Sequence, residues 1–283
     1  ALYLMENYSD NPTNPIIFGS EIKMLHPFLN LCSKLNIRQF IPGHYMTFKH
    51  SNNFWTTNNI MLPYYNRANF YKAPNYITED VALNKIATAL ENSIKRRVTT
   101  SDRPIACLLS GGLDSSLVTS LVSKYYKKGQ LETYSIGMPG SEDLKYSQMV
   151  ADYLGTKHTQ IILSEDDFFN AIPDVIKSIE SYDTTTVRAS VGNYLVSKYI
   201  SEHSEAKVIF NGDGSDEVTG GYMYFHKAPG EKEFDIECNR LLDNIYLYDV
   251  LRSDKSISSN GLEPRTPFLD KEFVDTYMML PIK

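Results

Sequence analysis

One stretch constrains the fold more than any other: Ile105-Ala106-Cys107-Leu108-Leu109-Ser110-Gly111-Gly112-Leu113-Asp114-Ser115-Ser116. An apolar run of strand character enters a Ser-Gly-Gly turn, and a helix then opens with an acid and two hydroxyls. Glycine lets backbone N–H groups approach a ligand in conformations that other residues resist. The first turn of the helix adds N–H donors without intrahelical partners and the positive end of the helix dipole. Ser110, Ser115 and Ser116 offer hydroxyls, and Asp114 is a hard oxygen ligand of the kind Mg²⁺ takes. The alternative is an ordinary Gly-Gly turn, but the strand before it and the Asp-Ser-Ser after it favour a cradle for a magnesium-bound pyrophosphate. The stretch predicts a nucleotide site.

The surrounding chain repeats the strand–helix alternation. Thr78 is expected to cap a helix on which Ala82, Ile86, Leu90 and Ile94 recur every four residues. Strands at 105–109, 133–137, 158–163 and 208–211 alternate with helices at 114–127, 143–154, 164–180 and 189–203. Leu117, Val118, Leu121 and Val122 read as the core face of the 114–127 helix. Such alternation implies an α/β fold with a parallel sheet covered on both faces, and ligands at the C-terminal ends of its strands. Residues 1 to about 65 read instead as β-rich, with runs at 1–5, 16–20 and 45–49 separated by turns at Asp10-Asn11-Pro12 and Pro42-Gly43. Residues 66–75 read as a polar and aromatic linker. Trp55, Tyr64, Tyr65 and Tyr71 are expected to pack rather than to stack on bases.

Composition narrows the function. Across 283 residues, 42% hydrophobic and 22% charged content is ordinary for a globular protein with a packed core. A net charge of -6 argues against bulk nucleic-acid binding, so an anionic ligand needs a local cluster of donors. Cys32, Cys107 and Cys238 are odd in number and far apart, which suggests neither a disulfide framework nor a C-x-x-C metal site; a reducing cytosol is the simplest compartment. No apolar run approaches the ~18 residues of a membrane span. The histidines, including His44 and His50, show no H-E-x-x-H spacing. The chain opens at Ala1 within strand-like sequence and stops at Pro281-Ile282-Lys283, so a piece trimmed at both ends is expected.

A second loop, Asn211-Gly212-Asp213-Gly214-Ser215-Asp216-Glu217, follows the strand-like Val208–Phe210. Three acids in a glycine-rich loop repel one another unless a cation or proton traffic uses them. A solvated or Ca²⁺-like loop is the alternative, but EF-hand spacing fails because Ser215 stands at the third ligand position. Placed in the same sheet as the first loop, it is expected to supply a second magnesium ligand and a general base.

No G-x-x-x-x-G-K-[ST] occurs; the first loop resembles the SGGxDS pyrophosphatase loop of the ATP-pyrophosphatase superfamily. With Tyr182-Asp183-Thr184-Thr185-Thr186-Val187-Arg188-Ala189-Ser190, the run from Gly212 to Lys227, and Glu263-Pro264-Arg265-Thr266-Pro267-Phe268-Leu269-Asp270-Lys271, the chain resembles the glutamine-dependent asparagine synthetase family over essentially its whole length. That resemblance implies the C-terminal, β-rich part of an N-terminal-nucleophile glutaminase domain with linker at 1–70. An ATP-pyrophosphatase synthetase domain would occupy 71–283. It implies a ligase that makes asparagine from aspartate and ATP through β-aspartyl-AMP, with ammonia or glutamine as nitrogen donor.

The same resemblance assigns residues. Ser110, Gly111, Gly112, Asp114 and Ser115, with the neighbouring Ser116, would hold the pyrophosphate, and Leu108, Ile136, Asn211 and Gly212 would border the adenosine. Asp114 and Asp216 would hold Mg²⁺; Thr185 and Arg188 would meet the phosphates or the aspartyl group; Asp213 would be the base. Asp249 and Arg252 match positions near the substrate, or else form an i,i+3 surface ion pair worth a few tenths of a kcal/mol. Most relatives carry Glu where Asp213 stands and Ser where Asn211 stands, and the lost methylene sets the carboxylate back by roughly 1.5 Å. The family's nucleophilic N-terminal Cys and its lysine-bearing loop beyond Asp270 have no counterpart here, so the stretch is expected not to hydrolyse glutamine and to use ammonia weakly. Partners are expected to be aspartate, ATP and ammonia or glutamine, with no nucleic acid and no membrane; a homodimer is left open. The competing readings are a β-lactam-forming ligase and a degenerate nucleotide-binding module.

Overall fold

A computed structural model describes residues 2–7, 16–31, 35–51, 54–57, 60–65 and 77–282. The Asp10-Asn11-Pro12 turn, Cys32, the linker at 66–75 with Tyr71, Ala1 and Lys283 lie outside the described residues. The chain divides into two compact units, Ala1–Asn69 and Phe70–Lys283.

In the first unit, β1 (Tyr3–Asn7) lies between β2 (Ile17–Gly19) and β3 (Leu35–Gln39), antiparallel to both. Tyr3 and Met5 share one face of β1, as period-two alternation requires, and bury against Leu25 of a 3₁₀ segment, Lys23–Leu31. The single strand expected at 45–49 is instead two. β4 (His44–Tyr45) and β5 (Phe48–Ser51) take different antiparallel partners, β7 (Leu62–Pro63) and β6 (Phe54–Thr57) respectively. Trp55 and Tyr64 do not pack as expected: they are 57% and 72% exposed, because two-stranded ribbons leave a face uncovered. Trp55 rests against the ring of His50 across the ribbon, at a centroid distance of 4.9 Å.

The second unit begins with α1 (Glu79–Thr99), where Thr78 accepts a hydrogen bond from Val81 N as its sequence position predicts. Alternation then follows: β8 (Ile105–Leu108), α2 (Leu113–Ser123), β9 (Glu132–Gly137), α3 (Glu142–Leu154), β10 (Lys157–Ile162) and α4 (Glu165–Ile179). After α5 (Thr184–His203) come β11 (Val208–Phe210), α6 (Ser215–Thr219), α7 (Glu231–Asn244), α8 (Asp249–Ser258), β12 (Glu263–Arg265) and α9 (Lys271–Met278). The five strands form one parallel sheet in the order β10-β9-β8-β11-β12.

Successive strand residues face opposite cores. Ile105, Cys107, Val208 and Phe210 pack with α1, α2, α7 and α9, while Ala106 and Ile209 pack with Val196 and Ile200 of α5 and Ile257 of α8. A strand buried on both faces reads as an unbroken apolar run, which is why Ile105–Leu108 carries no polar alternation. The chain winds from β8 outward through β9 to β10, then α5 carries it back to β11 on the other side of β8. The switch point, where an open α/β sheet leaves a crevice, therefore lies between the C-terminal ends of β8 and β11.

Two helix boundaries and one helix face differ from expectation for local reasons. The helix expected over 114–127 ends at Ser123, where i→i+3 bonds from Tyr125 N and Tyr126 N tighten the chain out of α-geometry. Leu117 is 40% exposed; on a helix it points off the face that Val118, Leu121 and Val122 bury. The helix expected from 189 begins at Thr184, because Asp183 caps it by accepting from Thr186 N at 2.8 Å.

Two polar anchors hold this frame. Asp270 caps α9 and accepts from Arg96 and Arg97 of α1, each at 2.6 Å, so the Thr-Pro-Phe-Leu-Asp motif ties the last helix to the first. Lys255 of α8 pairs with Glu180 at the end of α4, both nearly buried. That pair fixes the helix carrying Asp249 and Arg252.

Candidate active site

The loop after β8 is ordered by its own hydroxyls. The Oγ atoms of Ser110 and Ser115 lie 2.9 Å apart, Ser110 N donates to Ser115 Oγ at 3.2 Å, and Gly112 N donates to Ser110 Oγ at 3.3 Å. Gly112 stands at the N-cap of α2 and brings no side chain to cap it, so first-turn N–H groups stay open to an anion. Gly111 has φ +85°, and a Cβ there would lie 2.5 Å from Ser147 N of α3; only glycine permits this approach.

The loop after β11 meets it. A Cβ on Gly212 would lie 2.9 Å from Asp114 Cβ and 3.0 Å from Ser115 N, so the two loops are in van der Waals contact through this glycine. Ser215 Oγ donates to Asp114 Oδ1 at 2.8 Å, a second bridge between them. Asn211 is buried and donates from Nδ2 to Asp213 Oδ2 and to Ser253 Oγ, both at 2.9 Å.

Between the loops lies a cleft of about 270 Å³. Five carboxyl groups line it, from Asp114, Asp213, Asp216, Glu217 and Asp249, with Arg252 the one cation among the described lining residues. Burial and crowding show in the ionisation of three of them. Burial pushes Asp216 above the usual carboxyl range, with the charges of Asp114 and Asp249 adding to it. Burial also raises Asp213, against the pull of Ser253 and Arg252 and with help from Asp249. Glu217 is pushed up to about 7, chiefly by burial, although it accepts a hydrogen bond from Tyr222 Oη. Five carboxyls facing one guanidinium, beside a row of N–H groups without intrahelical partners, form the kind of cluster with perturbed ionisation that functional sites carry.

Of the residues singled out from sequence, Leu108, Ser110, Gly112, Asp114 and Ser115 line the cleft from the first loop. Asn211, Gly212, Asp213 and Asp216 line it from the second, and Asp249 and Arg252 from α8. Asp249 and Arg252 do form an i,i+3 ion pair, but in the cleft wall, with only 15% and 21% of their side chains exposed. Five others are not in the lining. Gly111 backs onto α3, and Ser116 Oγ is buried without a hydrogen-bond partner among the described residues. Ile136 packs beside the second core, and Thr185 and Arg188 are exposed on the first turns of α5. The structure adds Asn193, Ser215, Glu217 and Tyr222 to the lining, and Ser253 behind it. Glu217 and Ser215 were visible inside the acidic run; Asn193, in mid-helix, carried no local signal.

The family model for asparagine synthase matches residues 85–237 and 227–283, most of the chain. The chain belongs to the asparagine synthase family. It is similar to proteins called asparagine synthetase [glutamine-hydrolyzing] from Mus musculus and Homo sapiens, each 42% identical over 261 residues, and from Gallus gallus, 41% identical over 258. Each match takes in 87% of this chain and 46% of the relative, so the chain spans about half the length of the curated relatives it matches. Among solved structures it is similar to an NH3-dependent NAD synthetase from Campylobacter jejuni, at 16% identity and a TM-score of 0.34 over 69% of this chain and 93% of that one. In this asparagine synthase member, the first matched span contains both loops and the second contains Asp249 and Arg252.

Proposed function

We propose that this chain activates aspartate with ATP and forms asparagine from the activated acid. The observation that carries this reading is the contact of two loops at the sheet's switch point, one rich in hydroxyls and open N–H groups, the other in acids. A β-carboxylate is a poor electrophile. In this reading one of its oxygens attacks the α-phosphorus of ATP, the bond to the β-phosphate bridging oxygen breaks, and pyrophosphate leaves. Open amides of α2 and the hydroxyls of Ser110 and Ser115 take up the charge that develops on it. Ammonia nitrogen then attacks the carbonyl carbon of β-aspartyl-AMP, AMP leaves with its oxygen, and the Asp213 carboxylate takes the surplus proton from nitrogen.

A polyphosphate enters a cleft holding five carboxyls only with cations beside it. Asp114 and Asp216 are the residues that would hold Mg²⁺, and their mutual repulsion fits a divalent ion. Among the described residues no group of three or more His, Cys, Asp or Glu is arranged to hold a metal ion alone. Two carboxylates suit Mg²⁺, which fills its remaining positions with phosphate oxygens and water. Bound there, the ion would neutralise charge on the phosphates and ease pyrophosphate departure. In this reading Arg252, paired with Asp249 in the cleft wall, meets a substrate carboxylate, while Thr185 and Arg188, exposed on α5, meet the phosphates or the aspartyl group.

We assign residues 71–283 to the synthetase domain and 1–70 to the C-terminal part of a glutaminase domain with linker. A cytosolic compartment agrees with Cys107 and Cys238, both buried in the core and not joined in a disulfide. The relatives' names favour amide formation over ring closure. The test is product stoichiometry: with aspartate, ATP, Mg²⁺ and ammonium, the reading expects asparagine, AMP and pyrophosphate in equal amounts. ADP and phosphate as products would contradict it.

A further inference from the structure

Asn211 is held from both its backbone and its side chain. It follows the fully buried Phe210 at the end of β11, and its own N–H donates to Arg265 O of β12 at 3.2 Å, so the sheet fixes its backbone. The residue is 4% exposed. A carboxylate only accepts, so the amide nitrogen is the end that faces Asp213. That nitrogen carries two hydrogens, and both are used: one goes to Asp213 Oδ2 and the other to Ser253 Oγ, each at 2.9 Å. The amide oxygen in turn accepts from Asp213 N at 3.4 Å, closing the loop on itself. Ser253 is 1% exposed on α8, the helix that presents Asp249 and Arg252 to the cleft.

With both donors committed, the Asn211 amide has no hydrogen left for a nucleotide. Bordering the adenosine, the role implied by resemblance, does not account for this geometry. We propose that Asn211 is a positioning residue for Asp213: its amide pins one carboxyl oxygen beside Ser253 and so presents the other to the nitrogen attacking in the cleft. The clamp matters because Asp is a short acid on a loop. A carboxylate that swings by about 1 Å loses much of its value as a base, on the order of a hundredfold in rate. Ser253 extends the same clamp to α8, so the base and the Asp249–Arg252 wall are held in one register.

The inference rests on the proposed function, and its test separates the two. Asn211→Ala is expected to lower ammonia-dependent asparagine formation about a hundredfold, while aspartate-dependent exchange of labelled pyrophosphate into ATP stays within about threefold. ATP affinity is expected to be unchanged. Asn211→Ser keeps one hydroxyl donor and is expected to fall between the two proteins. In an Asp213→Asn background, Asn211→Ala should cost nothing further, since the group it positions is already gone. Equal losses in exchange and amide formation, weaker ATP binding, or full additivity with Asp213→Asn would each overturn the clamp. A crystal structure of Asn211→Ala probes the clamp without any turnover: the Asp213 carboxyl is expected to leave Ser253, and an unmoved carboxyl overturns the inference. An unsubstituted protein without pyrophosphate exchange would instead overturn the proposed function.

Discussion

Gly212→Ala puts the contact between the two loops under direct strain. The added Cβ would sit 2.9 Å from Asp114 Cβ and 3.0 Å from Ser115 N. Carbon atoms rest about 3.5–4.0 Å apart, so the loops must separate by roughly 0.6–1 Å. Neither neighbour is the loose end of a side chain; both belong to the first turn of α2. Overpacking of this kind costs about 1–3 kcal/mol, and in a chain of this size each kcal/mol lowers the unfolding temperature by about 2–4 °C. Gly212 is not among the glycines with positive φ, so the loss would come from the contact and not from backbone strain. Displacing the hydroxyl loop from the acidic loop by that distance should also cut asparagine formation about a hundredfold. Thermal unfolding and product formation on the same preparation check both parts. A variant with unchanged unfolding temperature and full rate would refute the claim that these loops touch through Gly212.

Three further outcomes are expected. Asp216→Asn removes a carboxylate that burial and Asp114 disfavour, so the unliganded protein should unfold no lower while Mg²⁺-dependent ATP affinity, measured calorimetrically, falls at least about tenfold. Glu217 holds its proton more tightly when folded, at about 7 against an ordinary 4.5, so its contribution to stability is complete below 4.5 and lost as pH rises through 7. Unfolding temperatures of the unliganded protein should therefore fall across that window relative to Glu217→Gln; a difference that grows in the other direction with pH would be the wrong sign. Asp270→Ala should cost about 1 kcal/mol for the lost α9 cap alone, and more for leaving Arg96 and Arg97 without this carboxylate, by denaturant unfolding.

What was legible in the sequence follows from which interactions are local. The strand–turn–helix at Ile105–Ser116 could be read because glycine, hydroxyl and apolar positions are adjacent in the chain and each has a local physical meaning. The parallel sheet followed from alternation alone, and the two loops met at one crevice because winding reverses between β8 and β11. Partner choice is not local, which is why one apolar run at 45–49 became two strands in two ribbons. Leu117 illustrates the same limit at finer scale, since its apolar character says nothing of which side of α2 meets the sheet. Within the cleft, the acidic run was readable, but Asn193 on α5 and Ser253 on α8 arrive by tertiary packing from distant segments. Asn211 is legible in sequence only as a polar residue opening the acidic loop; its bonds to Asp213 and Ser253 are visible only in three dimensions.

Aspartate-dependent exchange of labelled pyrophosphate into ATP tests the joint action of the two loops most directly, because it reports the adenylation step without requiring any nitrogen donor. Exchange that requires aspartate, and that disappears in both Asp114→Asn and Asp216→Asn, is the expected result. ATP binding with no exchange in the presence of aspartate, or exchange that survives both substitutions, would contradict the account.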